Sequence, residues 1–229
     1  MLSFNDVTKE FKLDEKNTII PVLGVNLQVE AGEVIVIIGR SGTGKTTLLN
    51  LAAGLVRPTS GHVMVTGNDL AKMTDQQISS FRGQKMGFVF QFPSLLPALT
   101  IKDNISLPAV FGNGNGGKEA GERAEELLDA LGLADKANVH PKQLSAGEQK
   151  RVVIARSLIN DPQLVLADEP TSDLDSRTEK EVMAFFRSVN AKGVTFLIVT
   201  HNLELIAFAT RAFEMEKGNI TMIKGPKLA

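Results

Sequence analysis

The run Gly39-Arg40-Ser41-Gly42-Thr43-Gly44-Lys45-Thr46 has glycines, a lysine and a hydroxyl at the spacing G-x-x-x-x-G-K-[ST]. Glycines let successive backbone N–H groups turn inward around an anion. A helix starting at the lysine adds unpaired N–H donors and the positive end of its dipole. Lys45 would supply a point charge for β- and γ-phosphates, and Thr46 a hydroxyl for Mg²⁺. A Gly-rich strand-to-helix turn without a ligand is the competing reading. The loop alone does not choose among kinase, GTPase, motor and transporter ATPase.

Two further groups could act with it. Leu164-Val165-Leu166-Ala167-Asp168-Glu169 is an apolar strand ending in two acids. In a parallel sheet its carboxyl end faces the ligand crevice. Neighbouring side chains on a strand point to opposite faces, so the two acids are expected to take different tasks. Asp168 suits Mg²⁺, through water, and Glu169 suits a general base toward water. The competing reading is a solvated acid pair. His201 follows a second apolar strand, in Ile198-Val199-Thr200-His201, at the edge expected for Glu169. There it either contacts a γ-phosphate or is an ordinary surface histidine.

The elements that must position these groups alternate. Glu33–Ile38 is a β-branched run typical of a strand buried on both faces, and Lys45–Ala53 is helical up to Gly54. Leu2–Phe4, Leu23–Val29 and His62–Val65 read as strands, with a turn at Pro58–Gly61. Thr74–Gln77 fits a capping box, Gly87–Gln91 a strand, and Pro93 and Pro97 an irregular segment. Gly112–Gly117 reads as a surface loop, and Glu119–Leu131 as a helix ended by Gly132. Helices at Gln149–Ile159 and Glu179–Val189 alternate with strands at Leu164–Ala167 and Val194–Val199. Arg211–Met215 and Ile220–Ile223 read as a terminal hairpin. Strands alternating with helices imply right-handed crossovers and a mainly parallel sheet. Ser145 and Glu148 form a capping box for the helix that follows them.

Composition narrows the classes. The 229 residues suit one large domain or two small ones, with 43% hydrophobic and 22% charged residues. Lys plus Arg is 25 against 26 Asp plus Glu, a net charge of -1, without the basic bias of a dedicated nucleic-acid binder. No cysteine is present, which excludes disulfides and thiolate metal sites. Trp and Tyr are also absent, so stacking on a ligand falls to Phe or His. The apolar run Val34–Ile38 is far short of the roughly 20 residues of a membrane span. The N-terminus lacks the pattern of a signal peptide, so a cytosolic protein is expected.

Taken in order, these segments resemble the nucleotide-binding subunits of ATP-binding-cassette transporters over nearly the whole chain. Phe11 matches the aromatic adenine-stacking position, Gly39–Thr46 the Walker A loop and Gln91 the Q-loop glutamine. Leu144-Ser145-Ala146-Gly147-Glu148 matches the signature and Asp168-Glu169 the Walker B end. Ser172-Asp173-Leu174-Asp175 matches the D-loop and His201 the switch histidine. Three departures stand out. Phe11 replaces a tyrosine, Ala146 stands at the first signature glycine, and Glu148 replaces the commonest glutamine.

The resemblance implies an α/β fold: a P-loop core with a mainly parallel sheet, an N-terminal antiparallel β subdomain and a helical subdomain inserted at about residues 92–160. It implies ATP contacts at Phe11, Gly39, Arg40, Ser41, Gly42, Thr43, Gly44, Lys45, Thr46 and Thr47. Further contacts fall at Ser145, Ala146, Gly147 and Glu148. Mg²⁺ ligands are implied at Thr46, Gln91 and Asp168, and catalytic roles at Glu169, His201 and Gln91. Expected partners are a second copy, closing head-to-tail around two ATP, and a membrane permease at the cytoplasmic face. No nucleic acid is expected. A permease coupling helix is expected near Gln91 and Phe92–Leu99, with Phe92, Leu95 and Leu96 as contacts, although Leu96 equally suits the core. Met86–Gln91, Leu95–Pro97 and Asn104–Pro108 resemble the lipoprotein-releasing and macrolide-exporter ATPases. Ser172-Asp173 departs from that group, and a cell-division-type regulatory ATPase or a soluble ATPase without a permease are the alternatives.

Overall fold

The computed structural model describes residues 1–14, 17–112, 118–172 and 174–225. The Gly-rich stretch 113–117 and Asp173 of the D-loop lie outside the described residues. In chain order the elements are β1 (Leu2–Lys12), β2 (Thr18–Val29), β3 (Val34–Ile38), α1 (Lys45–Ala52), β4 (Ser60–Val65), β5 (Asn68–Asp69), α2 (Asp75–Lys85) and β6 (Met86–Val89). There follow α3 (Ile101–Gly112), α4 (Lys118–Ala130), α5 (Ala146–Leu158), β7 (Leu164–Asp168), α6 (Ser176–Asn190), β8 (Thr195–Thr200), β9 (Arg211–Glu216) and β10 (Asn219–Lys224). The chain divides into two compact units, Met1–Ile78 with Thr195–Ala229, and Ser79–Val194. Among the described residues no helix is long and apolar enough to cross a membrane.

The first unit holds an antiparallel sheet, β2-β1-β4-β5. Its inner face follows the period of two: Leu2 pairs with Val29 and Phe4 with Leu27, all four buried. β1 and β2 are much longer than the weak alternation of their sequences suggests. Register shifts between Phe4 and Phe11 break the strict alternation and hide the strand. Beside this sheet β3 runs parallel to β8 and to β9, and β9 turns back antiparallel into β10. Every residue of β3 and of β8 is buried, as their β-branched runs require. Arg211 of β9 joins the two sheets: its guanidinium donates to the Gln28 carbonyl of β2 and meets the Glu33 carboxylate at 2.9 and 2.6 Å.

The second unit pairs β6 with β7 in parallel, and α3, α4 and α5 pack on one another. α5 crosses β6 closely. A Cβ at Gly87 would stand 2.1 Å from the Ser157 carbonyl oxygen, so no other residue fits there. α6 buries Val182, Met183 and Phe186 on one face and is capped by Asp175, which accepts from the N–H groups of Arg177 and Thr178.

Sequence patterning missed α3, which contains Pro108 and runs on through Gly112. The proline signals a break, since it donates nothing to the carbonyl one turn earlier, but packing on α4 and α5 carries the helix past it, and the Asn160 amide donates to the Pro108 carbonyl itself at 3.2 Å. Leu96 is exposed, so the core reading of that residue is wrong, and Leu95 is half-buried. The irregular segment containing them is pinned by Asn104 of α3, which has no solvent exposure. Its Oδ1 accepts from the Leu96 N–H at 2.7 Å, and its amide donates to the Leu96, Leu99 and Thr100 carbonyls at 3.1, 3.2 and 2.9 Å. Asn104→Ala strands several buried backbone groups, and each such loss costs about 1–3 kcal/mol. A lowered urea midpoint corresponding to at least about 2 kcal/mol is expected; an unchanged midpoint would contradict this account.

Candidate functional site

In the first unit the chain leaves buried β3 at Ile38, loops through Gly39–Gly44 and enters α1 at Lys45. Gly42 and Gly44 have φ of 80° and 105°, backbone that favours glycine. A Cβ at Gly44 would also lie 1.8 Å from the Pro21 carbonyl oxygen. Gly44 is the N-cap of α1 and supplies no side-chain cap. A glycine N-cap brings no side chain to compete with an anion at the helix start. The Lys45 ammonium folds back under the loop and donates to the carbonyls of Gly39 and Arg40 at 2.7 and 2.9 Å. Thr43 closes the same turn, its hydroxyl donating to the Arg40 carbonyl at 2.9 Å. Arg40, Ser41, Gly42 and Thr46 are exposed, and Thr47 is half-buried.

The pairing of β3 with β8 brings His201 to this loop's edge. Ile38 is in register with Thr200, so Gly39 and His201 leave two parallel neighbours at the same end. Thr200 and Asn202 fix the turn, accepting from the N–H groups of Asn202 and Glu204 at 3.0 and 2.9 Å. His201 itself is exposed. Phe11, opposite Ile19 near the far end of β1, is 39% exposed, and the Lys9 ammonium stands 4.9 Å from its ring centroid.

In the second unit Val89 is in register with Ala167, which sets Phe90-Gln91 and Asp168-Glu169 at one carboxyl edge. Asp168 and Glu169 are only 6% and 8% exposed, so they are not a solvated pair. The strand-alternation argument for their separate tasks does not hold as stated. β7 ends at Asp168, and Glu169 adopts φ 47°, so the turn rather than the pleat aims its side chain. Its carbonyl accepts from the Ser172 N–H and hydroxyl at 3.2 and 3.0 Å, closing that turn.

Ser145 caps α5 as its sequence predicts. Its hydroxyl accepts from the Glu148 N–H at 3.3 Å, and the Glu148 carboxylate accepts from the Ser145 N–H and hydroxyl at 2.7 and 2.8 Å. Those two donors hold the Glu148 carboxyl below its usual range. Ser145 and Ala146 are exposed at the helix start, and Gly147 and Glu148 half-buried. Sequence reasoning passed over Lys150 and Arg156, further along α5. Lys150 is 3% exposed and donates to the carbonyls of Phe90 and Gln91 at 3.4 and 2.8 Å. Arg156 donates to those of Pro93 and Ser94 at 2.9 and 3.0 Å, and burial pushes its pKa down. The signal available was the presence of Lys150, Arg151 and Arg156 on a helix otherwise rich in buried apolar residues.

The family model described as ABC transporter matches residues 22–172. The chain belongs to the ABC transporter family. It is 43% identical to an ABC transporter ATP-binding protein of Thermotoga maritima, over 96% of this chain and 93% of that one. It is 41% identical to the lipoprotein-releasing system ATP-binding protein LolD of Bacteroides fragilis, over 96% of this chain and 100% of that one. It is also 41% identical to the macrolide export ATP-binding/permease protein MacB of Rhodopirellula baltica, of which it covers 32%. Among solved structures it matches the dimeric post-hydrolysis state of the ATP-binding cassette MJ0796 bound to ADP and Pi. That match has a TM-score of 0.94 and 36% identity over 100% of both chains.

As an ABC cassette the chain is an ATP-binding ATPase, and its start of α5 carries a testable electrostatic device. A carboxyl depressed in the folded state stabilises above its unfolded pKa, and that contribution is lost as pH falls through the folded pKa. Wild type is therefore expected to melt higher than Glu148→Gln at neutral pH, with the gap closing under acid conditions. A gap independent of pH would remove the ionised carboxylate from the cap.

Proposed function

We propose that the chain is the ATP-hydrolysing subunit of a membrane permease system of the LolD or MacB kind, acting at the cytoplasmic face. Two copies close head-to-tail around two ATP, each nucleotide lying between the phosphate loop of one copy and the Ser145–Glu148 start of the other. The observation that carries this reading is the glycine N-cap of α1, at the end of a loop whose Gly39 and Gly44 leave no room for a Cβ. Support comes from the two buried acids at the end of β7 and from the dimeric state of the MJ0796 cassette. The helices within about residues 92–160 form the inserted helical subdomain of this reading.

Roles follow from chemistry. N–H groups of Gly39–Thr47 bind the phosphates and Lys45 neutralises their charge, its bonds to Gly39 and Arg40 holding the loop open for them. Thr46, Gln91 and Asp168 offer a hydroxyl, an amide carbonyl and a carboxylate, the hard oxygen donors that fit Mg²⁺. Bound there, the ion would offset charge on the phosphate oxygens. Glu169 accepts the proton of the attacking water, Gln91 orients that water, and His201 contacts the γ-phosphate. The Phe11 ring stacks on adenine. Exposed Phe92 and Leu96, at 73% and 45%, receive the permease.

Glu169→Gln keeps size and removes the proton acceptor. Turnover is expected to fall about 10²–10⁴-fold, while size-exclusion chromatography shows a monomer without nucleotide and a stable dimer with Mg-ATP. Near-normal turnover would remove Glu169 from its role. Asp168→Asn is expected to weaken both ATP binding and turnover. Phe11→Ala should weaken ATP binding by about 1–3 kcal/mol with little change in maximal rate, as read by nucleotide titration. For the wild type, specific activity is expected to rise with protein concentration, and Ser145→Arg to abolish turnover while ATP still binds. A diluted protein that keeps its specific activity would rule out the shared site.

A further inference from the structure

The segment that leaves β6 has no regular structure of its own, yet four of its carbonyls are held by one helix. Lys150 takes those of Phe90 and Gln91, and Arg156 those of Pro93 and Ser94. Burying a cation is costly, and it is tolerated where charged hydrogen bonds offset the lost hydration. Such bonds are shorter and stronger than neutral ones. They are made here to backbone oxygen, so they fix the path of the main chain at Gln91 whatever its side chain does. Asn104 anchors the downstream end at Leu96–Thr100. Ser94 sits between the two holds with φ 45°, in the left-handed region. Lys150 and Ser145 lie on the same rigid helix, Ser145 as its cap and Lys150 within its second turn.

We propose that Lys150 is a positioning residue that ties Gln91 to the helix headed by Ser145, with Arg156 extending the hold to Ser94. Engagement of nucleotide at Ser145 then moves the Phe90–Ser94 segment as one body with α5, including the exposed Phe92 face. The reverse also holds: a partner pressing on Phe92 shifts Ser145. The inference rests on the reading of Ser145 and Gln91 as nucleotide-site residues. It adds a physical connection between them, two charged hydrogen bonds through one buried ammonium.

Glu169→Gln protein, with and without Mg-ATP, provides the test by hydrogen–deuterium exchange of peptides covering 90–94 and 145–151. Both peptides are expected to slow on ATP. With Lys150→Met added, 145–151 still slows while 90–94 loses its response. Lys150→Arg, which keeps the cation and its donors, restores the response. In protein with Glu169 intact, Lys150→Met is expected to lower kcat about tenfold, the scale of one charged hydrogen bond, with KM for ATP little changed. Should Lys150→Met fail to fold, Lys150→Gln replaces it with the same expected outcome, since it keeps a donor but is shorter and uncharged. Undiminished slowing of 90–94 in the Lys150 variant overturns the inference while leaving the site reading intact. If Glu169→Gln forms no dimer with Mg-ATP, the site reading falls and the inference falls with it.

Discussion

A helix start whose N-cap is a glycine is the constraint on which the first unit depends. Most helices take a Ser, Thr, Asp or Asn cap for their first N–H groups, as α5 does with Ser145 and α6 with Asp175. α1 is capped by Gly44 alone. The surrounding structure preserves this. Pro21 and Met215 carbonyls crowd Gly44 and Gly39 so that no Cβ fits, and the Lys45 ammonium donates to loop carbonyls. The β3–β8 register then places His201 at the same edge. What results is a concentration of N–H donors and positive charge at one loop, which suits a polyphosphate.

The second unit is organised by α5. One end carries the capped Ser145. Its middle carries Lys150 and Arg156, which reach the loop beyond β6, and its last turn lies against Gly87 so closely that only glycine fits. α5 therefore governs both the exposed helix start and the path of Gln91. The buried acids at the end of β7 stand at the same sheet edge as Gln91 because β6 and β7 are parallel and paired in register. Parallel pairing gives this outcome generally, since it gathers the carboxyl ends of strands and the loops that follow them.

The two units use opposite solutions for their helix termini, and each suits its charge. Glu148 brings an anion to the start of α5, where Ser145 uses it in a closed reciprocal cap. That cap satisfies the helix locally while leaving the Ser145–Ala146 surface exposed. At α1 the same reciprocal cap would occupy the donors that the proposed phosphate site needs, and the sequence places glycine there instead.

Much of this was legible in the residue order. Buried strands β3, β7 and β8 announce themselves as apolar runs, the phosphate loop has a spacing with a direct physical meaning, and the caps at Thr74 and Ser145 are local chemistry. Such features depend on residues near in sequence, so a single chain suffices to read them. The rest was decided by contacts distant in sequence. α3 runs through Pro108 because it packs on α4 and α5, and β1 and β2 extend past their patterned residues because register shifts interrupt the alternation. Glu169 turns on a left-handed backbone rather than following the strand pleat. Lys150 lies far from Gln91 in the chain, and only the packing of α5 beside β6 makes its ammonium the support of that loop. Sequence by itself determined which groups are present and where local backbone can hold them. The tertiary structure decided which backbone oxygens the buried cations reach, because that depends on distance in space and on the hydration each cation loses.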